Sequence, residues 1–144
     1  MNAIYTLNDD GSDLRALLRR ETPPGRTDAL FAPTWSPDAQ WLAFLRVFED
    51  TTAGAPPLTL AVGAVRPDGS ELRVVASMAM REIVSTIGQN NLSLAWSPDG
   101  LRLAFNVMAG GLSSRIYVVD INGDGPMQIT TNLGAHDHSL TWVR

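Results

Sequence analysis

Leu94-Ala95-Trp96-Ser97-Pro98-Asp99-Gly100 runs directly into Leu101-Arg102-Leu103-Ala104-Phe105, and the reading of this stretch decides the fold. Short apolar runs flank a segment whose residues each suit a tight turn. Pro98 presets φ at the second turn position, Ser97 and Asp99 can bond nearby backbone amides, and Gly100 takes a position that favours positive φ. The stretch therefore reads as two strands joined by a hairpin connection. It has a double: Trp35-Ser36-Pro37-Asp38-Ala39, then Leu42-Ala43-Phe44, keeps the same spacing from Trp to Phe. A further copy begins at Leu140-Thr141-Trp142.

A second motif alternates with the first. Ile4-Tyr5-Thr6-Leu7 leads through Asp10-Gly11-Ser12 to Leu14 and Leu17, and Ile116-Tyr117-Val118-Val119 leads through Asn122-Gly123 to Pro126 and Ile129. The run from Val62 to Val65, with Asp68-Gly69-Ser70, Leu72 and Val75, is a third copy. Asp-Gly and Asn-Gly pairs between strand-like runs are strong hairpin signals. Two hairpins per unit, recurring about every 50 to 60 residues, describe successive four-stranded antiparallel blades of a β-propeller. The fold class is all-β, a part-propeller. Its segments are the outer strands of a first partial blade over 1–30, a second blade over 31–91, a third over 92–134, and the inner strand of a further blade over 135–144. The unit exceeds the ~40–45 residues of compact blades, and the surplus falls in 51–57 and between Val75 and Leu92.

Leu94 to Gly100, Leu103-Ala104-Phe105, Ile116-Tyr117-Val118-Val119-Asp120 and Ile129-Thr130 together resemble the TolB-type propeller repeat, and the resemblance covers nearly the whole chain. Two departures stand out. Ala39 replaces the turn Gly, at a cost of roughly 1 kcal/mol if the left-handed conformation is required, and a loose third strand over 58–65 has Gly63 where Tyr is expected. The resemblance implies a periplasmic or extracellular protein-binding propeller, with partners such as lipoproteins. It also extends to propellers that cap serine peptidases. Fold does not fix function, because function lives in sites placed on the fold.

Two segments compete with the repeat register. Residues 14–20 have high helical propensity, yet the register makes them a strand. Residues 78–87 have no strand counterpart in the other copies and read as a long loop or a short helix.

Composition narrows the partners. The chain has 144 residues, 44% of them hydrophobic, enough for a real core. A net charge of −4 with no block of either sign disfavours nucleic acid. With no cysteine there is no disulfide, thiolate metal site or cysteine nucleophile. No apolar run approaches the ~20 residues of a membrane span. Met1 to Leu7 lack the basic and apolar regions of an export signal, so any such signal lies outside the sequence.

Candidate sites are few. Asp120-Ile121-Asn122-Gly123-Asp124-Gly125 fits the opening of a calcium loop, but Thr131 stands where the closing Glu belongs, and the run reads as a hairpin turn. His136, Asp137 and His138 are candidate channel-mouth contacts; a metal there would need a ligand from elsewhere. Arg15, Arg19, Arg20 and Arg26 read as a solvated outer strand and loop, interrupted by Glu21 and Asp28. Trp35, Trp96 and Trp142 share one register and read as wedges between blades. No nucleophile elbow, phosphate-binding loop or zinc-helix His pair occurs.

The sequence is thus expected to be a non-enzymatic protein-binding or scaffold module with no catalytic residue, cofactor or metal. Two complete blades cannot close a ring of about four to eight. The chain either closes by association with itself as a homodimer or higher oligomer, or is cut from a longer propeller. The alternatives are a structural self-assembling ring without a separate ligand, and the propeller fragment of a larger exported protein or hydrolase.

Overall fold

The computed structural model describes residues 2–49, 53–54, 58–80, 92–108, 114–123, 125–131 and 140–143. Among them there is no helix. Strands β1 (Asn2–Thr6) and β2 (Arg15–Arg20) form a two-stranded sheet. A four-stranded sheet follows, with β3 (Asp28–Trp35), β4 (Leu42–Phe48), β5 (Leu58–Val65) and β6 (Arg73–Met80) in sequence order. The second four-stranded sheet contains β7 (Leu94–Trp96), β8 (Arg102–Met108), β9 (Ser114–Asp120) and β10 (Met127–Gln128). All pairings are antiparallel.

The two inner hairpins are built by one hydrogen-bond network. In the Ser97 turn, Gly100 N–H donates to the Ser97 carbonyl, Arg102 N–H to Ser97 Oγ and Leu101 N–H to Asp99 Oδ1, each at 2.9 Å. In the Ser36 turn, Ala39 N–H donates to the Ser36 carbonyl at 2.9 Å, Trp41 N–H to Ser36 Oγ at 2.9 Å and Gln40 N–H to Asp38 Oδ1 at 3.0 Å. The serines are buried at the centre of each turn, so the hydroxyl satisfies a strand amide that water cannot reach. The turn position does require the left-handed region: φ is +71° at Gly100 and +56° at Ala39.

Local propensity loses to pairing in β2. Residues 15–20 have good helix formers, yet Ile4 and Leu18 face each other in the ladder and both join the cluster of Leu42, Phe44 and Val65. A helix there would forfeit the pairing and the packing together. In β3 the ladder skips from Phe31 to Thr34, because Pro33 has no N–H to give it and Ala32 adopts positive φ.

Several expectations need correction. The third strand at 58–65 departs from the repeat pattern only in its sequence: β5 pairs with β4 from Leu42↔Val65 to Phe48↔Thr59, and all its residues are buried. Its small apolar residues suit a strand covered on both faces. Residues 78–80 are neither loop nor helix but the end of β6; positions 81–87 lie outside the described residues. The second blade's inner strand starts at Asp28 rather than Phe31, because Asp28 takes a two-pronged ion pair from Arg46 in the facing strand, with both contacts at 2.8 Å. Residues 140–143 pair with no strand among the described residues. The main core lies between the four-stranded sheets, where Leu45, Val47, Leu60 and Val62 meet Leu94, Trp96, Leu103 and Phe105.

Candidate functional site

The ends of β3 and β7, and the segment 140–143, come together around an open groove with a volume of about 450 Å³. Each contributes a repeat tryptophan and the residue before it: Thr34 and Trp35, Ala95 and Trp96, Thr141 and Trp142. Pro37 and Pro98 from the turns form part of the rim.

One contact repeats across the groove. The indole N–H of Trp96 donates to the carbonyl of Thr34 at 3.1 Å, and that of Trp142 donates to the carbonyl of Ala95, also at 3.1 Å. In both cases the tryptophan bonds the residue just before the tryptophan of the preceding unit. An amphipathic ring suits this task, with its apolar body in the core and its polar edge matched to a backbone acceptor. Trp96 is accordingly buried, at 8% exposure. Trp35 is not the buried wedge its register suggests: it is 45% exposed, and its indole has no acceptor among the described residues. The reason is spatial, since the two strands that precede β3 supply only the outer part of a blade.

Electrostatics around the groove are mild. The Ser36 hydroxyl and Gln40 amide hold the Asp38 carboxyl below the ordinary carboxylate range, and the Ser97 hydroxyl and Leu101 amide do the same for Asp99. Both carboxylates are therefore committed to their turns. Arg102 stacks over the Trp142 ring at 5.2 Å. Nearby, Arg66 and Arg73 each lie 4.1 Å from the centre of the Trp41 ring, and Arg66 also reaches Glu71 at 3.4 Å. The repeat comparison missed this stack, because Trp41 occupies the position of Arg102 and so lies outside the recurring tryptophans.

His136, Asp137, His138 and Asp124 lie outside the described residues. Asp120, which would open a calcium loop, uses Oδ1 to accept Asn122 N–H at 2.9 Å and its carbonyl to accept Gly123 N–H at 2.9 Å, as a hairpin turn requires. No group of three or more His, Asp or Glu is poised for a metal among the described residues. Arg19 and Arg26 are exposed and Arg15 donates to the Pro67 carbonyl at 3.3 Å, so the arginines do not converge on one pocket, while Asp28 belongs to Arg46. With aromatic, proline, alanine, leucine and threonine lining, the groove is suited to binding by apolar and hydroxyl contacts.

TolB from Acinetobacter baumannii superposes on 92% of the chain with a TM-score of 0.61 and 20% identity. The fold is a segment of a TolB-type β-propeller. An oligogalacturonate lyase in complex with manganese is similar over 87% of the chain, with a TM-score of 0.56 and 19% identity. The AtxE2 isopeptidase is similar over 72%, with a TM-score of 0.53 and 16% identity. The chain spans 27% of the length of TolB, 27% of the lyase and 18% of the isopeptidase. No protein-family model matches the chain, and no curated protein does.

Proposed function

We propose that this TolB-type segment is a non-enzymatic protein-binding or scaffold module that completes its ring by association, with a second copy of itself as the first partner. The supporting observation is the indole-to-carbonyl contact, made by Trp96 and Trp142 and left open at Trp35. In the repeating register, Trp35 of one copy would take the carbonyl of Thr141 of another. Two copies would then share two junctions and form a six-bladed ring, within the usual range of about four to eight. Burial of apolar surface, at roughly 25 cal/mol per Å² before the cost of association, supplies the drive. Light scattering at micromolar concentration should give a mass near twice 15.6 kDa. A soluble, cooperatively folded monomer overturns the reading.

The likeness to a lyase in complex with manganese favours a second reading, in which the segment is the propeller part of an enzyme. Under the first reading no divalent metal co-purifies in stoichiometric amount. Elemental analysis finding about one manganese, calcium or zinc per chain would decide for the second.

A further inference from the structure

The turns that lead from β1 to β2, from β5 to β6 and from β9 to β10 share one backbone form and differ in one residue. They run Asn8-Asp9-Asp10-Gly11, Arg66-Pro67-Asp68-Gly69 and Asp120-Ile121-Asn122-Gly123. In each the glycine N–H donates to the carbonyl of the first residue, at 2.8, 2.9 and 2.9 Å, and the glycine φ is +81°, +87° and +92°. In the first two turns the aspartate before the glycine is tied down. Asp10 Oδ1 accepts the Ser12 hydroxyl at 2.6 Å and the Ser12 N–H at 2.9 Å, and Asp68 Oδ1 accepts the same two groups of Ser70 at the same distances. The serine hydroxyls, and then the amides, hold both carboxyls below the ordinary carboxylate range, so both stay ionised at neutral pH.

The third turn lacks that tie. Asn122 stands where Asp10 and Asp68 stand, and Asp120 Oδ1 accepts only its backbone N–H. Its side-chain amide has no hydrogen-bond partner among the described residues, and both Asn122 and Gly123 are exposed. The Gly123 nitrogen can close a small unstrained ring on the Asn122 Cγ, and no Cβ at Gly123 shields it. A carboxylate in the same place resists such attack, because it has no neutral group to expel. The turn also sits at a junction. Ile121 packs against the main core and donates its N–H to the Leu101 carbonyl at 2.9 Å, while a Cβ at Gly123 would stand 3.3 Å from the Val75 carbonyl of the neighbouring sheet. Beyond the turn, β10 is held to β9 by two residue pairs, Met127↔Val118 and Gln128↔Tyr117.

We propose that Asn122 is a self-modification site of the folded chain, with water as the only co-reactant. As the turn opens, the Gly123 nitrogen leaves the Asp120 carbonyl, attacks the Asn122 Cγ and gives its proton to water. The bond from Cγ to the side-chain nitrogen breaks, that nitrogen takes up a proton, and ammonia departs from a cyclic imide. Water then adds to either imide carbonyl. Cleavage of the bond between Cγ and the Gly123 nitrogen leaves an ordinary peptide link with aspartate at position 122. Cleavage of the bond between the Asn122 main-chain carbonyl carbon and the Gly123 nitrogen leaves an isoaspartyl link, which carries the main chain through the side chain. The first product is the residue that the turns at Asp10 and Asp68 already accept. The second adds a carbon to the turn, displaces Gly123 from its place against Val75, and frees the short β10 from β9.

The test incubates the full chain in mildly alkaline buffer, folded and in denaturant, and follows it by peptide mapping. Isoaspartate is read by methyl transfer from an isoaspartate-specific carboxyl methyltransferase. The folded chain is expected to gain the mass of an amide-to-acid change at Asn122 before any other asparagine, as a mixture of the two products, and Asn122→Gln should abolish the gain at this position. In the isoaspartyl fraction the Ile129 amide, which donates to the Ile116 carbonyl at 2.8 Å, should lose its protection from hydrogen exchange, whereas Asn122→Asp keeps it. A folded chain that stays unmodified at Asn122 while the denatured chain converts overturns the proposal. So does earlier conversion at another asparagine. Full Ile129 protection in the isoaspartyl form overturns the release of β10.

Discussion

Phe44 occupies the space that a side chain at Gly63 would need: a Cβ built on Gly63 would clash with the far edge of the Phe44 ring, which is itself buried. In the next blade the equivalent pair is Phe105 and Tyr117, where two rings stack. The same cross-strand position is thus filled by one ring from β4 in one blade and shared by two rings in the other.

Gly63→Ala should therefore destabilise the chain by about 1–3 kcal/mol, the cost of overpacking a well-filled core. Denaturant melts check this, and Phe44→Leu in the same chain should recover part of the loss. An unchanged midpoint for Gly63→Ala would mean that the Phe44 ring has somewhere else to go.

The two tryptophans of one register should respond unequally. Trp96→Ala is expected to cost about 3–5 kcal/mol, as for a large aromatic removed from a packed core. Trp35→Ala should cost no more than about 1 kcal/mol in the unassociated chain, because the ring is half in water and its N–H has no acceptor among the described residues. Comparable losses at the two sites would contradict the environments described here, and a loss below about 1 kcal/mol at Trp96 would make it a binding residue.

Turn chemistry gives a stabilising change. Ala39 sits at φ +56° where Gly100 sits at +71°. Ala39→Gly relieves roughly 1–2 kcal/mol of left-handed strain and gives back about 0.4–1 kcal/mol through the freer unfolded chain. A net gain of about 0.5–1 kcal/mol is expected, and Gly100→Ala should shift the melt in the opposite direction.

Acid should weaken the hairpins. Asp38 and Asp99 are held below the ordinary carboxylate range, first by the Ser36 and Ser97 hydroxyls and then by the Gln40 and Leu101 amides. A depressed native pKa contributes stability above the unfolded value of about 3.9 and loses it as pH falls through the native value. Melts between about pH 7 and about pH 2 should therefore fall below about pH 4, less steeply in Asp38→Asn/Asp99→Asn than in the parent. Parallel profiles would show that these turns do not carry the pH dependence.

The sequence by itself determined the strands, the hairpins and the TolB-type fold class, because each is specified over a few neighbouring residues. Ser97, Pro98, Asp99 and Gly100 form their turn from their own side chains and backbone, and the double at Ser36 repeats its amide-to-serine and amide-to-aspartate bonds. Even the strand at 15–20 was legible, once the register outweighed helical propensity.

Only the tertiary structure decided which equivalent residues are buried. Trp35 and Trp96 are indistinguishable in the repeat, yet among the described residues only Trp96 has a neighbouring inner strand to accept its indole N–H. Gly63 reads as a defect until Phe44 is seen beneath it, and Asp28 reads as an interruption of an arginine run until Arg46 faces it across the sheet. Burial, the partner of an indole N–H and the room for a Cβ are set by atoms distant in sequence. A local pattern prescribes the strand; the neighbouring blade, present or missing, determines what that strand's side chains do.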